Sequence, residues 1–338
     1  TSRDLAYHHC FSPAQSSKPT LPFCHGFPST SRNWRHIVPR PRDKGYGVLA
    51  LDMLGYGGTD KPTDPAAYIP SLISKDIVDI LDAEKLGNAI AVGHDLGCKA
   101  ISRLANYYPE LILAYVFFAV SFVQVLPPMD FEVFQGLLKK QPGYETLGYW
   151  KFLSEPGANK VIQAHVASSY NYLCVSHIDS FVGVTFFHDF KTWIERLAPT
   201  DVLKQSPLED FIASRPSYLF EEDMKHFVET FRRDGFAAPT CWYKIVTSQL
   251  SAKDDQQIIP ERKFPPASAP IYFGEAKHDY TCPPKIGYAS FTWEVFSRHS
   301  VTMKEYGADH WLILSHGGEI SRDLEKWIEG TVATKAKL

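Results

Sequence analysis

A chain of 338 residues, 44% hydrophobic and 14% aromatic, is long enough to bury a large core as one big domain or as a domain carrying an insertion. Thirty-five basic against 38 acidic residues give a net charge of -3 without any Lys/Arg run, which argues against nucleic-acid or anionic-membrane partners and for small molecules. The six cysteines (Cys10, Cys24, Cys98, Cys174, Cys241, Cys282) lack pair spacing, which fits reduced thiols in the cytoplasm better than a disulfide framework, and no Cys/His spacing suggests a zinc site.

In chain order, the polar start from Thr1 to Lys18 lacks an apolar signal region, and no later stretch offers the roughly twenty apolar residues of a membrane helix. Leu5 to Phe11 predicts an edge strand, and Thr20 to Cys24 a second strand that ends in His25-Gly26-Phe27-Pro28. Ser29 to Arg42 predicts a short helix stopped at Pro39 and Pro41. Tyr46 to Leu51 is a buried-strand pattern running into a glycine-rich loop, Asp52 to Asp60. That loop has neither the Lys-Ser/Thr of a phosphate loop nor the helix placement of a dinucleotide fingerprint, so no cofactor is expected. Ser71 to Leu86 carries Leu72, Ile73, Ile77, Ile80 and Leu81 at helical spacing. Ala89 to Gly93 then predicts a strand, Lys99 to Tyr108 a helix, and Leu111 to Val120 a central parallel strand.

From about Gln124 to Ala269 the pattern changes to dense aromatics and prolines with short helical fragments and no clean strand. Alternation resumes with a strand at Pro270 to Gly274, a helix near Ile286 to Phe296, a strand near Ser300 to Tyr306 and a helix from Glu319 to Ile328. The expected architecture is α/β, a mostly parallel sheet with helices on both faces, interrupted by an inserted helical cap. The expected division is core at 1–123, cap or lid at 124–267, and core again at 268–338.

The turn Gly93-His94-Asp95-Leu96-Gly97 lies between a strand and a helix, and its small flanking residues hold the middle side chain out at the strand's carboxyl end. Taken alone, these five residues fit an ordinary turn with a capping aspartate equally well. Chain order decides, because Asp279 follows a later strand and His310 the last one, giving the nucleophile, acid, histidine order of a hydrolase with Asp95 in the nucleophile's place. A carboxylate is already ionised at neutral pH, whereas a serine there would need a base to activate it. Asp309 is too near in sequence to orient its neighbour's ring, so Asp279 is the expected partner of His310.

On these residues the chain resembles the epoxide hydrolase branch of the α/β-hydrolases, over nearly its whole length. The likeness rests on His25-Gly26-Phe27-Pro28, Gly55 to Pro62, the Asp95 turn, Asp279 and His310-Trp311. Within the insertion, Tyr149 with Glu155-Pro156-Gly157 and Cys241-Trp242-Tyr243 match the segments that carry the family's two cap tyrosines. The resemblance implies a small apolar epoxide and water as reactants, no cofactor or metal, and a place in detoxification or lipid-epoxide turnover. Asp95 would attack an epoxide carbon while Tyr149 and Tyr243 hydrogen-bond the oxirane oxygen, and His310, held by Asp279, would activate water against the ester. The N–H groups of Phe27 and Leu96 would stabilise the oxyanion, and Pro28, lacking an N–H, would shape the turn. His25, Phe27, Pro28, His94, Trp150, Trp242 and Trp311 are the expected pocket residues. Leu96 departs from the pattern, since the family usually has tryptophan there. Haloalkane or haloacid dehalogenase is the alternative enzyme, and a non-catalytic small-molecule receptor the alternative of another class.

Overall fold

The computed structural model describes residues 1–140, 146–167, 169–170, 217–279, 281–292 and 294–332. Seven strands form one sheet: β1 (His9–Ser12), β2 (Thr20–Cys24), β3 (Gly47–Leu51), β4 (Ala89–His94), β5 (Ile112–Phe118), β6 (Ile271–Ala276) and β7 (Val301–Tyr306), in the order β1-β3-β2-β4-β5-β6-β7. Every pairing is parallel except β1 with β3. β2, β3, β4 and β6 are buried along their whole length and β5 nearly so, whereas the two edges, β1 and β7, are partly exposed. That is the pattern of a parallel sheet covered on both faces, and it explains why the inner strands read as continuous apolar runs.

The helices differ from expectation mainly where proline sits. The segment expected to be a helix stopped at Pro39 and Pro41 is a 3-10 turn, Ser31–His36, and Pro39 then begins α1 (Pro39–Asp43). Proline loses nothing at the first helical position, where its missing N–H would have had no intrahelical acceptor. The same holds for Pro70, which opens α2 (Pro70–Ala83), and for Pro284, which starts the helix Pro284–Phe291, so that helix stops short of the expected Phe296. α3 (Leu96–Tyr107) begins directly after Asp95, three residues earlier than expected, and packs on β2, β4, β5 and α2.

Two compact units divide the chain. The first comprises Thr1–Lys61, Ile69–Pro127 and Asp254–Leu338, and holds the sheet. The second comprises Pro62–Tyr68 and Pro128–Lys253. Its described part contains α4 (Phe131–Lys139), α5 (Tyr149–Ser154), α6 (Ala158–Ala164) and the helices Glu221–Asp234 and Cys241–Thr247. The middle of the expected insertion, residues 171–216, lies outside the described residues, as does Cys174. The units differ from the expected limits at both ends. Residues 62–68 join the second unit because the Tyr68 ring lies 5.8 Å from that of Trp242 and the Cys241 thiol donates to the Thr63 carbonyl. Residues from 254 onward join the first unit because Asp254 accepts from the N–H and hydroxyl of Ser71, and Asp255 pairs with Arg103.

Candidate active site

β4 delivers Asp95 to the sheet's carboxyl edge in a conformation that L-residues rarely adopt, with φ 54° and ψ -126°. A Cβ on Gly97 would run into the Cys24 carbonyl, and one on Gly26 into the Asp95 carboxylate, so the β2 and β4 loops approach closely only because those residues are glycine. The close approach lets Phe27 N–H donate to Asp95 Oδ1 at 2.9 Å, while the Asp95 carbonyl accepts from Cys98 N–H at the start of α3. The Phe27–Pro28 peptide bond is cis, and Leu96 is the first residue of α3, where an N–H has no intrahelical acceptor.

The loops after β6 and β7 complete the set. His310 Nδ1 donates to Asp279 Oδ2 at 2.7 Å, and its Nε2 lies 3.5 Å from Asp95 Oδ2. Asp279 is itself fixed, its Oδ1 accepting from the N–H groups of Thr281 and Cys282. Asp309 accepts from Trp311 N–H instead, as its place in sequence implied. His94 Nε2 donates to the His310 carbonyl at 2.8 Å and so anchors the histidine's backbone.

Burial opposes the charge on Asp95, yet the positive charge of the nearby His310 ring, with the Phe27 N–H, outweighs it and holds the carboxyl below its ordinary range. Burial likewise opposes the charge on His310, but Asp279 and Asp95 on its two sides raise it well above the ordinary imidazole value. His94 goes the other way, brought down to about 4 by burial and by the nearby charge of His310. The two rings and the one carboxylate therefore divide the charge in the resting site: Asp95 anionic, His310 cationic, His94 neutral.

Of the other expected residues, His25 is engaged at both ring nitrogens, by the Gly26 carbonyl and the Met53 N–H, and burial lowers its pKa. Pro28 is buried, and Trp311 is buried with its ring centroid 5.5 Å from His94 and 5.4 Å from His310. In the second unit, Tyr149 and Trp150 begin α5 and Tyr243 lies in Cys241–Thr247. The Tyr243 ring is 6.0 Å from Tyr149 and 5.6 Å from Trp150, so the two segments singled out by sequence form one aromatic cluster. Trp242 faces Tyr68 in the same unit.

One neighbour was not foreseen. The Cys282 thiol lies near the His310 ring, and Asp279, Cys282 and His310 place one possible ligand atom each within 4.8 Å of the others. A cysteine three residues after a candidate acid carries no sequence signal of this kind, since the contact depends on how the loop folds back.

A family model for the alpha/beta hydrolase fold matches residues 19–316. Bifunctional epoxide hydrolase 2 of Sus scrofa is 26% identical over 93% of the chain and 52% of its own length, so the chain spans about half of that relative. Epoxide hydrolase srdG of Neurospora crassa is 25% identical over 97% of the chain and 93% of its own length. Among solved structures, epoxide hydrolase A from Mycobacterium thermoresistibile superposes with a TM-score of 0.74 at 22% identity, covering 96% of this chain and 98% of that one. Potato (Solanum tuberosum) epoxide hydrolase I does so at 0.71 and 22%, covering 96% of each. These two likenesses show a shared fold.

Proposed function

The chain belongs to the α/β-hydrolase fold family, and from that premise we propose that it is an epoxide hydrolase, opening a small apolar epoxide to a vicinal diol through an ester on Asp95. The observation that carries the reading is the two-sided environment of one carboxylate: Oδ1 held by the Phe27 N–H, Oδ2 facing the His310 ring. A serine at this turn would need its proton removed, whereas Asp95 is already anionic and Oδ2 can attack carbon directly.

Attack of Oδ2 on an epoxide carbon breaks the carbon–oxygen bond of the three-membered ring and leaves an alkoxide that takes a proton. In this reading Pro128–Lys253 is a cap, and the phenols of Tyr149 and Tyr243, whose rings already pack together, hydrogen-bond that oxygen and supply the proton. Esterification then removes the negative charge of Asp95. His310 loses one of the two carboxylates that favour its proton, so its pKa falls, its Nε2 proton passes through solvent to the phenolate left by ring opening, and the ring becomes a base at the stage that needs one.

Asp279 holds Nδ1 protonated and leaves Nε2 to take a proton from water, which adds to the Asp95 carboxyl carbon. The charge that develops on Oδ1 falls on the Phe27 N–H, with the Leu96 N–H at the opening of α3 as second donor. Collapse expels the diol with Oδ2, protonated from His310, and the water oxygen stays on Asp95. Leu96 is apolar and offers no side-chain donor to a departing halide, which favours epoxides over haloalkanes. The chain's lack of a long apolar helix among the described residues is consistent with a reaction in water, and a cytoplasmic setting is part of the proposal.

A single turnover in oxygen-18 water tests the route, with a styrene oxide-type epoxide and enzyme in excess. The first diol should carry protein oxygen and no solvent label. Full solvent label in that turnover, or halide release from haloalkanes with every epoxide ignored, would overturn it, and binding without any turnover would favour a receptor.

A further inference from the structure

The proposed reaction leaves Cys282 unused, although its thiol sits against the base. Asp279 Oδ1 takes the N–H of both Thr281 and Cys282, which folds the loop back and brings the thiol near the His310 ring. One carboxylate oxygen, one sulfur and one ring nitrogen thereby lie within 4.8 Å of one another, the only such three-residue group among the described residues. We propose that Asp279, Cys282 and His310 form a binding site for a thiophilic divalent cation, Zn2+ or Cd2+, whose occupation arrests turnover.

Carboxylate, thiolate and imidazole together are the donor set of borderline-soft cations, not of Mg2+ or Ca2+, which take oxygen ligands. Zinc holds such atoms at about 2.0–2.3 Å, so ligand atoms up to 4.8 Å apart converge with side-chain shifts on the order of an ångström. The imidazole has a carboxylate on each side, Asp279 Oδ2 at 2.7 Å and Asp95 Oδ2 at 3.5 Å, so the position already favours positive charge. Asp279 is buried while Cys282 and His310 are part-exposed, which gives the ion a firm inner ligand and an approach from solvent. Binding exchanges protons for the cation: the thiol, and the imidazole where it is protonated, each release one to solvent, with no change in oxidation state. A metal-bound His310 nitrogen has no lone pair for a water proton, so ester hydrolysis stops. The arrest rests on the proposed epoxide reaction; the binding does not.

The test uses the full chain with the exposed Cys10 changed to serine, reduced and freed of metal, and titrated with Cd2+ while the ultraviolet thiolate-to-cadmium band and epoxide turnover are followed. Expected are a band saturating at one equivalent, loss of turnover reversed by EDTA, and no effect of Mg2+. Cys282→Ser should abolish the band and raise the Cd2+ needed for inhibition at least tenfold. His310→Gln, which keeps the thiol, should weaken Cd2+ binding at least tenfold. A band that persists in Cys282→Ser, no saturable band in the parent, or undiminished binding in His310→Gln overturns the site. If the band behaves as expected but metal-free protein consumes no epoxide, the cation site stands and the epoxide reading falls.

Discussion

Two buried clusters of charge sit along one helix, and they are built to opposite ends. At the start of α3, Asp95 and His310 stand 3.5 Å apart, too far for a strong hydrogen bond, and each is held by a separate anchor, the Phe27 N–H and Asp279. Further along α3, Arg103 is saturated. Its Nε and Nη2 reach the two oxygens of Asp255 at 2.7 Å each, Nη1 reaches the Val123 carbonyl and Asn106, and Nη2 the Gln124 carbonyl. That guanidinium ties together the points where the chain leaves the first unit and returns to it. A fully paired ion has nothing left to offer a substrate, whereas a loosely paired one can exchange partners, so in the proposed reaction the slack between Asp95 and His310 is the chemical asset, while the tightness at Arg103 is mechanical.

The sharpest way to break the contrast is to remove one member of each cluster. His310→Gln should leave epoxide opening and slow ester hydrolysis roughly 10⁴- to 10⁶-fold, the range for losing a catalytic base. Mass spectrometry should then find the Asp95 peptide heavier by one substrate, and an unmodified peptide from folded variant would refute the assignment. Arg103→Met should do the reverse. It strands Asp255 and two carbonyls, so stability in denaturant should fall by about 3–5 kcal/mol while turnover per folded molecule changes little. Adding Asp255→Leu should restore much of that loss, because an apolar pair of similar volume carries no unpaired charge.

The same contrast explains what the sequence could and could not reveal. Asp95 was legible because an apolar strand, two glycines and a helical pattern converge on it locally, and Asp279 and His310 because each follows a strand in the order such a site requires. Arg103 was not legible, because its partners lie at 123, 124 and 255 and leave no periodic trace near 103. The opening role of Pro39 was missed for a related reason: proline stops a helix behind it and starts one ahead of it, and residue spacing alone does not say which. Residues 62–68 were assigned by their neighbours in sequence, while the contact that claims them, Tyr68 on Trp242, spans the chain.

The second unit offers an intermediate case, polar groups carried on aromatic packing. Tyr149→Phe and Tyr243→Phe each keep the ring and so the contacts with one another and with Trp150. Each should slow epoxide opening by roughly ten- to a thousandfold, the range of a lost acid or oxyanion donor, with the melting temperature nearly unchanged. Pre-steady-state alkylation rates measure the first half-reaction alone. Two single variants with undiminished rates would make the tyrosines packing residues and remove the reason to prefer epoxides.

The smallest effect concerns a buried carboxylate that belongs to neither cluster. Glu275 lies on β6 opposite Glu305 of β7, fully buried, with no hydrogen-bond partner among the described residues at either carboxylate oxygen. Burial, and then the charge of Glu305, push its pKa up to about 7. The folded protein therefore holds a proton there that the unfolded chain, titrating near 4.5, releases. Between those values the native state binds more protons, so this group favours folding in acid and loses that contribution as pH rises through about 7, a span on the order of 3 kcal/mol. His94 works in the opposite sense, since its native pKa near 4 makes acidification from about 6.5 unfavourable to folding. The wild-type profile mixes the two, and the difference between wild type and Glu275→Gln isolates the first. The amide, still unpaired, should leave stability at pH 5 close to wild type and raise it at pH 8 by about 1–2 kcal/mol, less than the full span because a buried amide keeps its own desolvation cost. Equal differences at both pH values in denaturant titrations would show that Glu275 is already paired or already charged in the native state.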